Sequence, residues 1–286
     1  MPAELAAVVP AFFFALSSVM TRRGMEGSNP QTGSLVVVEV NFLFFTVSLL
    51  AVNFAGLGFS WYWVAFLAAG VISPALSLLL MFRSIDRIGV APTSSLCNVH
   101  AFFGAFCAFF VLGERPSPVI WLGILVVVAG VYFLSGGGAG RVKPRDMALP
   151  LGSAACFGLA HTLRKLGFGG HEPLLFEAFL QGLAAAIAAP LLFRLGGAAR
   201  PLALNRGSLG LFVLAGLSQA AAQLSLLHAL RQGMVAVVSP VVSTGPLFTL
   251  LLAPIFLRGR ERITPRLIVS MVAIVAGVVL VTSTRR

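Results

Sequence analysis

Residues 114–131 read ERPSPVIWLGILVVVAGV, and residues 261–278 read ERITPRLIVSMVAIVAGV. Each copy opens on Glu-Arg, places a proline four residues after the glutamate, and closes an apolar run on Val-Ala-Gly-Val; the offset is 261 − 114 = 147 residues. Self-similarity at that distance in a chain of 286 residues marks a duplicated half. Upstream, Arg83 to Ser94 lies on His228 to Ser239 at a shift of 145, with the two extra residues absorbed in the Arg258 to Arg260 loop. At the start of the halves Phe14-Ala15-Leu16 matches Phe157-Gly158-Leu159, Gly24 falls on Gly167 and Pro30 on Pro173, at a shift of 143.

The solvent for these halves is lipid. With 58% apolar and only 10% charged residues and a mean hydropathy of +0.97, the chain cannot be arranged as a water-soluble globule. A bilayer core about 30 Å thick needs roughly 17 to 25 apolar residues per helix. The chain divides into ten such segments, at 3–20, 33–55, 60–82, 90–112, 118–136, 147–163, 173–193, 207–230, 235–257 and 264–283. Continuous runs such as Val119 to Leu134 lack the alternation of a membrane β-barrel. The first segment has Glu4 and no Lys or Arg ahead of it, so it reads as a helix rather than a signal peptide.

Five is odd, so two halves of one fold must enter the membrane from opposite sides. The expected fold is therefore an all-α membrane protein of ten transmembrane helices built as two inverted five-helix repeats, 1–136 and 147–286, joined by a Gly-rich and basic linker at 137–146. The linker's glycines lack the Gly-Lys-Ser/Thr ending of a phosphate-binding loop. Net charge is +11, but the 20 Lys and Arg are spread over short loops, which suits anionic lipid headgroups and not nucleic acid. Cys97, Cys107 and Cys156 all fall inside spans and read as small core residues, without metal-ligand spacing.

Two five-helix halves, each closing on Gly113-Glu114-Arg115 or Arg260-Glu261-Arg262 before a final apolar helix, resemble the drug/metabolite transporter superfamily with EamA-type domains. The resemblance covers nearly the whole chain. It implies a secondary transporter, an exporter or exchanger of a small metabolite or drug-like solute, working by alternating access in a bacterial inner membrane. It implies no cofactor and no enzyme activity, and fits either a monomer or a homodimer. A flippase for lipid-linked substrates is the alternative; an intramembrane lipid-modifying enzyme is disfavoured by short loops poor in acids. Cytoplasmic termini are usual in that superfamily. The charge count points the other way, with fourteen Lys and Arg after odd-numbered helices and six after even-numbered ones, 14 + 6 = 20, favouring both termini outside.

Of nine carboxylates, all but Glu39 and Glu177 lie in loops or at span ends. An ionisable group there costs about 2.5 to 3.5 kcal/mol on insertion scales and so tends to face a polar cavity or proton relay. Glu39, expected two turns into its helix, is assigned to the pathway and to proton coupling, against a carboxyl that only bonds a neighbouring helix. Glu177, four residues after Pro173, either serves the same cavity with Gln181 or complements the helix N-terminus. Ser94, Asn98 and His100 in the fourth helix, with Ser239, Ser243 and Thr244 in the ninth, form the other polar pair, on helices expected to be broken or kinked; in the ninth, Pro240 and Pro246 free backbone carbonyls. Gln219 and Gln223, at i and i+4, bind solute or glue helices. His161 is read as interfacial or as a proton shuttle. Gly123 with Gly130, and Ala273 with Gly277, offer small faces for packing between halves or for dimerisation.

Overall fold

The computed structural model describes residues 6–52, 60–134, 143–170, 172–195, 201–256 and 265–283. The second Glu-Arg copy, Glu261-Arg262, and the glycine run at 136–140 lie outside the described residues. Among the described residues all regular structure is helical: α1 (Val8–Gly24), α2 (Pro30–Ala51), α3 (Trp63–Ile88), α4a (Val90–Cys97), α4b (His100–Val111), α5 (Pro118–Leu134), α6 (Pro144–Gly167), α7 (Leu174–Leu195), α8 (Arg206–Gln232), α9a (Val235–Val242), α9b (Gly245–Phe256) and α10 (Pro265–Ser283). Local chemistry sets several starts. Asn29 caps α2 by accepting from Thr32 N at 2.8 Å, with Pro30 in the first turn, and Asn205 caps α8 by accepting from Ser208 N at 2.7 Å.

Among the described residues five helices are long and apolar enough to cross a bilayer: Pro30–Ala51, Trp63–Ile88, Leu174–Leu195, Arg206–Gln232 and Val235–Phe256. Shorter apolar helices run His100–Val111, Pro118–Phe133 and Ile268–Ser283. Their outward faces carry exposed Leu43, Val47, Leu50, Phe110, Ile187, Leu191, Val272 and Val279. A surface of that kind belongs against acyl chains.

The packing treats the halves as equivalents. α1 lies on α8 as α6 lies on α3; α1 meets α9b as α6 meets α4b; α2 meets α8 as α7 meets α3; and α2–α7 and α5–α10 are each their own counterpart. Two close approaches repeat the pattern. A Cβ on Gly24 would stand 2.5 Å from the Phe212 ring, and one on Gly167 would stand 2.5 Å from the Phe66 ring. Both rings are fully buried, so only glycine lets these helices close. The small faces of α5 and α10 pack on each other inside the chain: a Cβ on Gly123 would meet Gly277 O at 2.9 Å, and one on Gly277 would meet Gly123 O at 2.9 Å.

The fourth and ninth helices are both interrupted, by turns at Asn98-Val99 and at Ser243-Thr244, and the shift of 145 carries Asn98 onto Ser243. At the second break the hydroxyls turn back on the chain: Ser243 Oγ donates to Pro240 O at 2.9 Å and Thr244 Oγ1 to Val241 O at 2.7 Å. They serve the kink, satisfying carbonyls near prolines that supply no N–H. α3 is also broken, at Ser73, whose extended φ of −145° and ψ of 117° precede Pro74.

Candidate functional site

α6 carries the buried polar side chains Ser153, His161, Thr162 and Arg164. Pro150, Ser153, Phe157, His161 and Arg164 recur every three or four residues, so they share one face. Along that face the Cys97 thiol lies 3.7 Å from Pro150 O, and Ser153 Oγ donates to Ser77 O at 2.9 Å. His161 Nδ1 lies 2.6 Å from Ser239 Oγ of α9a. The His100 ring stands 6.1 Å from that of His161 and 6.0 Å from Phe157, and His100 Nδ1 is 3.3 Å from Cys97 O. The face ends at Arg164, whose Nε donates to Gln181 Oε1 at 2.7 Å and whose Nη2 donates to Ser73 O at 3.3 Å. The Ser73 carbonyl is available because the break beside Pro74 turns it out of the helical ladder.

The expected site residues fall in several places. His100 and Gln181 join this seam, Gln181 also donating to Glu177 O at 3.4 Å. Glu177 is 0% exposed and neither of its oxygens has a hydrogen-bond partner among the described residues; it sits on α7 next to Phe176 and Ala178, members of an apolar cluster with Phe45 and Phe66. Asn98 occupies the α4 break and is half-buried. Ser94 lies in α4a, its side chain outside the described residues. Gln219 is half-buried on α8, and Gln223 Nε2 donates to Ala178 O at 3.5 Å, which ties α8 to α7.

Glu39 is not where the sequence suggested. It is exposed, at the head of the outward stripe of Leu43, Val47 and Leu50, while Val37, Val38, Asn41 and Phe45 form the buried face of α2. At 100° per residue, Asn41 lies 200° from Glu39. The polar group that the middle of α2 sends inward is thus Asn41, whose Nδ2 has no partner among the described residues. Apolar residues on both sides of Glu39 gave no sign of which face was inner.

The residues that sequence reading missed are His161 and Arg164 in their present roles. The expected span ended at 163, which put Arg164 in a loop and His161 at an interface; α6 runs on to Gly167, leaving His161 4% and Arg164 7% exposed. The 150, 153, 157, 161, 164 spacing was the available signal. Beyond them, Lys165 Nζ donates to Leu230 O at 2.7 Å and Gly233 O at 2.9 Å at the end of α8. Glu114 accepts from Val235 N at 2.8 Å and Ala236 N at 3.1 Å at the start of α9a. Cation on carbonyls and anion on amides both match the helix dipoles.

The EamA-like transporter family matches residues 1–136 and 147–283, one copy in each half. This chain belongs to that family. An EamA-like chain with this apolar exterior is a multi-pass integral membrane protein that transports small solutes, which agrees with the two-repeat architecture and the transport expected from the sequence. A solved structure, "Crystal structure of protein", is similar with a TM-score of 0.81 over 98% of this chain and 96% of that one, at 19% identity. It supports the fold of this EamA-like chain alone. No curated protein matches the sequence.

Proposed function

We propose that the protein is a secondary transporter in which two inverted five-helix repeats, ten spans in all, rock around the seam on α6 to give alternating access. The observation that carries this is the polar seam itself, drawn from both halves, with Arg164 of α6 bonded to Ser73 O and Ser153 of α6 bonded to Ser77 O, both on α3. Polar groups enclosed in a membrane fold mark a pathway, and bonds across the repeat interface are what alternating access must break and remake. A bacterial inner membrane is the setting that fits this family.

Coupling to protons is assigned to Glu177. A carboxylate enclosed without a donor costs several kcal/mol, so a cycle that opens Glu177 to water and encloses it again has a group that can take up and release a proton. Arg231 and Glu172 are the charged side chains that act on it. The test is flux into vesicles holding the purified protein, with an imposed pH gradient, against carboxylates, amino acids, nucleosides, sugars and cationic drugs. Gradient-driven uptake that collapses with a protonophore is expected. Flux indifferent to the gradient removes the coupling, and absence of flux for every class removes the transporter.

A further inference from the structure

We infer that the cargo is an organic monoanion whose carboxylate binds Arg164. This rests on the transport reading and goes further by naming the cargo's chemistry. A guanidinium has five N–H donors. Here Nε is held by Gln181 and one Nη2 hydrogen by Ser73 O; both acceptors are neutral, and Nη1 has no partner among the described residues. No described carboxylate lies within ion-pair distance, although the residue is only 7% exposed. A buried cation without a counter-charge is strongly unfavourable. The cations around it are less enclosed: Lys165 is half-buried and lies on the carbonyls of Leu230 and Gly233, and Arg231 is exposed and donates to Glu172 O at 3.3 Å.

The two bonds Arg164 makes do not neutralise it; they fix its plane. Gln181 and Ser73 hold one side of the fork and leave the Nη1 side available, and a planar fork of that kind matches a carboxylate in two-point contact. One charge asks for one charge, which favours a monoanion over a phosphate. Arg164 itself reaches Ser73 O on α3 of the first half, so an occupant of Arg164 sits beside a contact that joins the halves. Ligand in that place has unequal contacts with open and closed states, which is the condition for it to bias them.

The competing role for Arg164 is a rivet that only satisfies the Ser73 carbonyl. Thermal unfolding of the purified protein with benzoate, lactate and N-acetylglycine, each against its neutral amide, separates the two. The carboxylates raise the midpoint and the amides do not. R164Q weakens carboxylate binding roughly ten- to hundredfold, as loss of a charge-assisted contact implies, and R164K keeps part of it. Q181E supplies an internal carboxylate beside Arg164: it folds and no longer responds to added carboxylates, which decides the matter even where R164Q fails to fold. No advantage of carboxylates over amides, or an undiminished response in R164Q or Q181E, overturns the inference. Wild-type vesicles that carry only neutral or cationic solutes sink this cargo and leave transport standing; carboxylate stabilisation without flux of any class does the reverse.

Discussion

Arg164 Nε and Gln181 Oε1 stand 2.7 Å apart, and through that bond the last turn of α6 is fastened to the second turn of α7 next to the break in α3. Gln181 is the sole described side chain that accepts from the guanidinium. Replacing it with leucine leaves the charge with a single carbonyl partner, and a hydrogen bond to a buried ion is worth about 1.5–3 kcal/mol, more when the ion is stranded. Unfolding of Gln181→Leu in detergent should show a loss of about 3 kcal/mol. Gln223→Leu, which removes a longer 3.5 Å bond between neutral groups at a half-buried site, should lose about 1 kcal/mol or less. Equal losses for the two would mean that Arg164 does not depend on Gln181.

Glu177 and Glu39 make opposite predictions. Glu177→Gln keeps the volume of an enclosed side chain and removes its exchangeable proton, so the protein should fold with unchanged or higher stability while flux loses its dependence on the pH gradient. Glu39→Gln alters an exposed residue on the outward stripe of α2 and should leave that dependence intact. Measuring uptake at several imposed gradients for both variants checks the pair; a gradient response that survives in Glu177→Gln and vanishes in Glu39→Gln would return coupling to Glu39.

The repeat was legible because it is written in local sequence: Glu114-Arg115 recurs as Glu261-Arg262, and the breaks at Asn98 and Ser243 sit at the shift that Arg83 to Ser94 already gave. Membrane residence was legible because hydropathy is additive. The site was not, for two physical reasons. In a helix that is apolar all round, period gives the angle between Glu39 and Asn41 but not which of them faces in, since lipid and core are equally apolar. A helix end in a membrane is set by tertiary contacts, and the contacts of Arg164 with Gln181 and Ser73 carry α6 one turn past the limit that charge suggests. His161 then moves from interface to seam. The two halves also differ where it matters: the shift of 143 carries Thr21 onto Arg164, and Thr21 Oγ1 donates to Ser17 O on its own helix at 2.8 Å.

The α5–α10 pair should be the least forgiving contact between the halves. A Cβ on Gly277 would meet Val127 N at 2.7 Å and Gly123 O at 2.9 Å, backbone atoms that no rotamer change can move aside. Gly277→Ala should cost about 2 kcal/mol, within the usual range for overpacking, read as a fall in detergent unfolding midpoint. Gly123→Ala reaches the same crossing from the other side, so the double variant should lose less than the sum of the singles. Solute selectivity should be unchanged in all three, because neither helix contributes to the seam.

Glu114 tests whether the repeated Glu-Arg element matters to the site. Its two oxygens take the first amides of α9a, from Val235 and Ala236, where an N-terminal cap is worth about 1 kcal/mol and its charge adds some tenths more against the dipole. Glu114→Ala should lose about 1–2 kcal/mol, and Glu114→Gln, which keeps one acceptor, should lose less. The consequence should reach beyond stability. α9a carries Ser239, whose hydroxyl lies 2.6 Å from His161, and a frayed first turn lets Ser239 move away from it. Glu114→Ala should therefore slow flux and weaken solute binding together. Ser239→Ala in an otherwise native α9a should lower flux with little change in unfolding; if Glu114→Ala loses stability but carries solute at the native rate, the cap holds the helix without holding the seam.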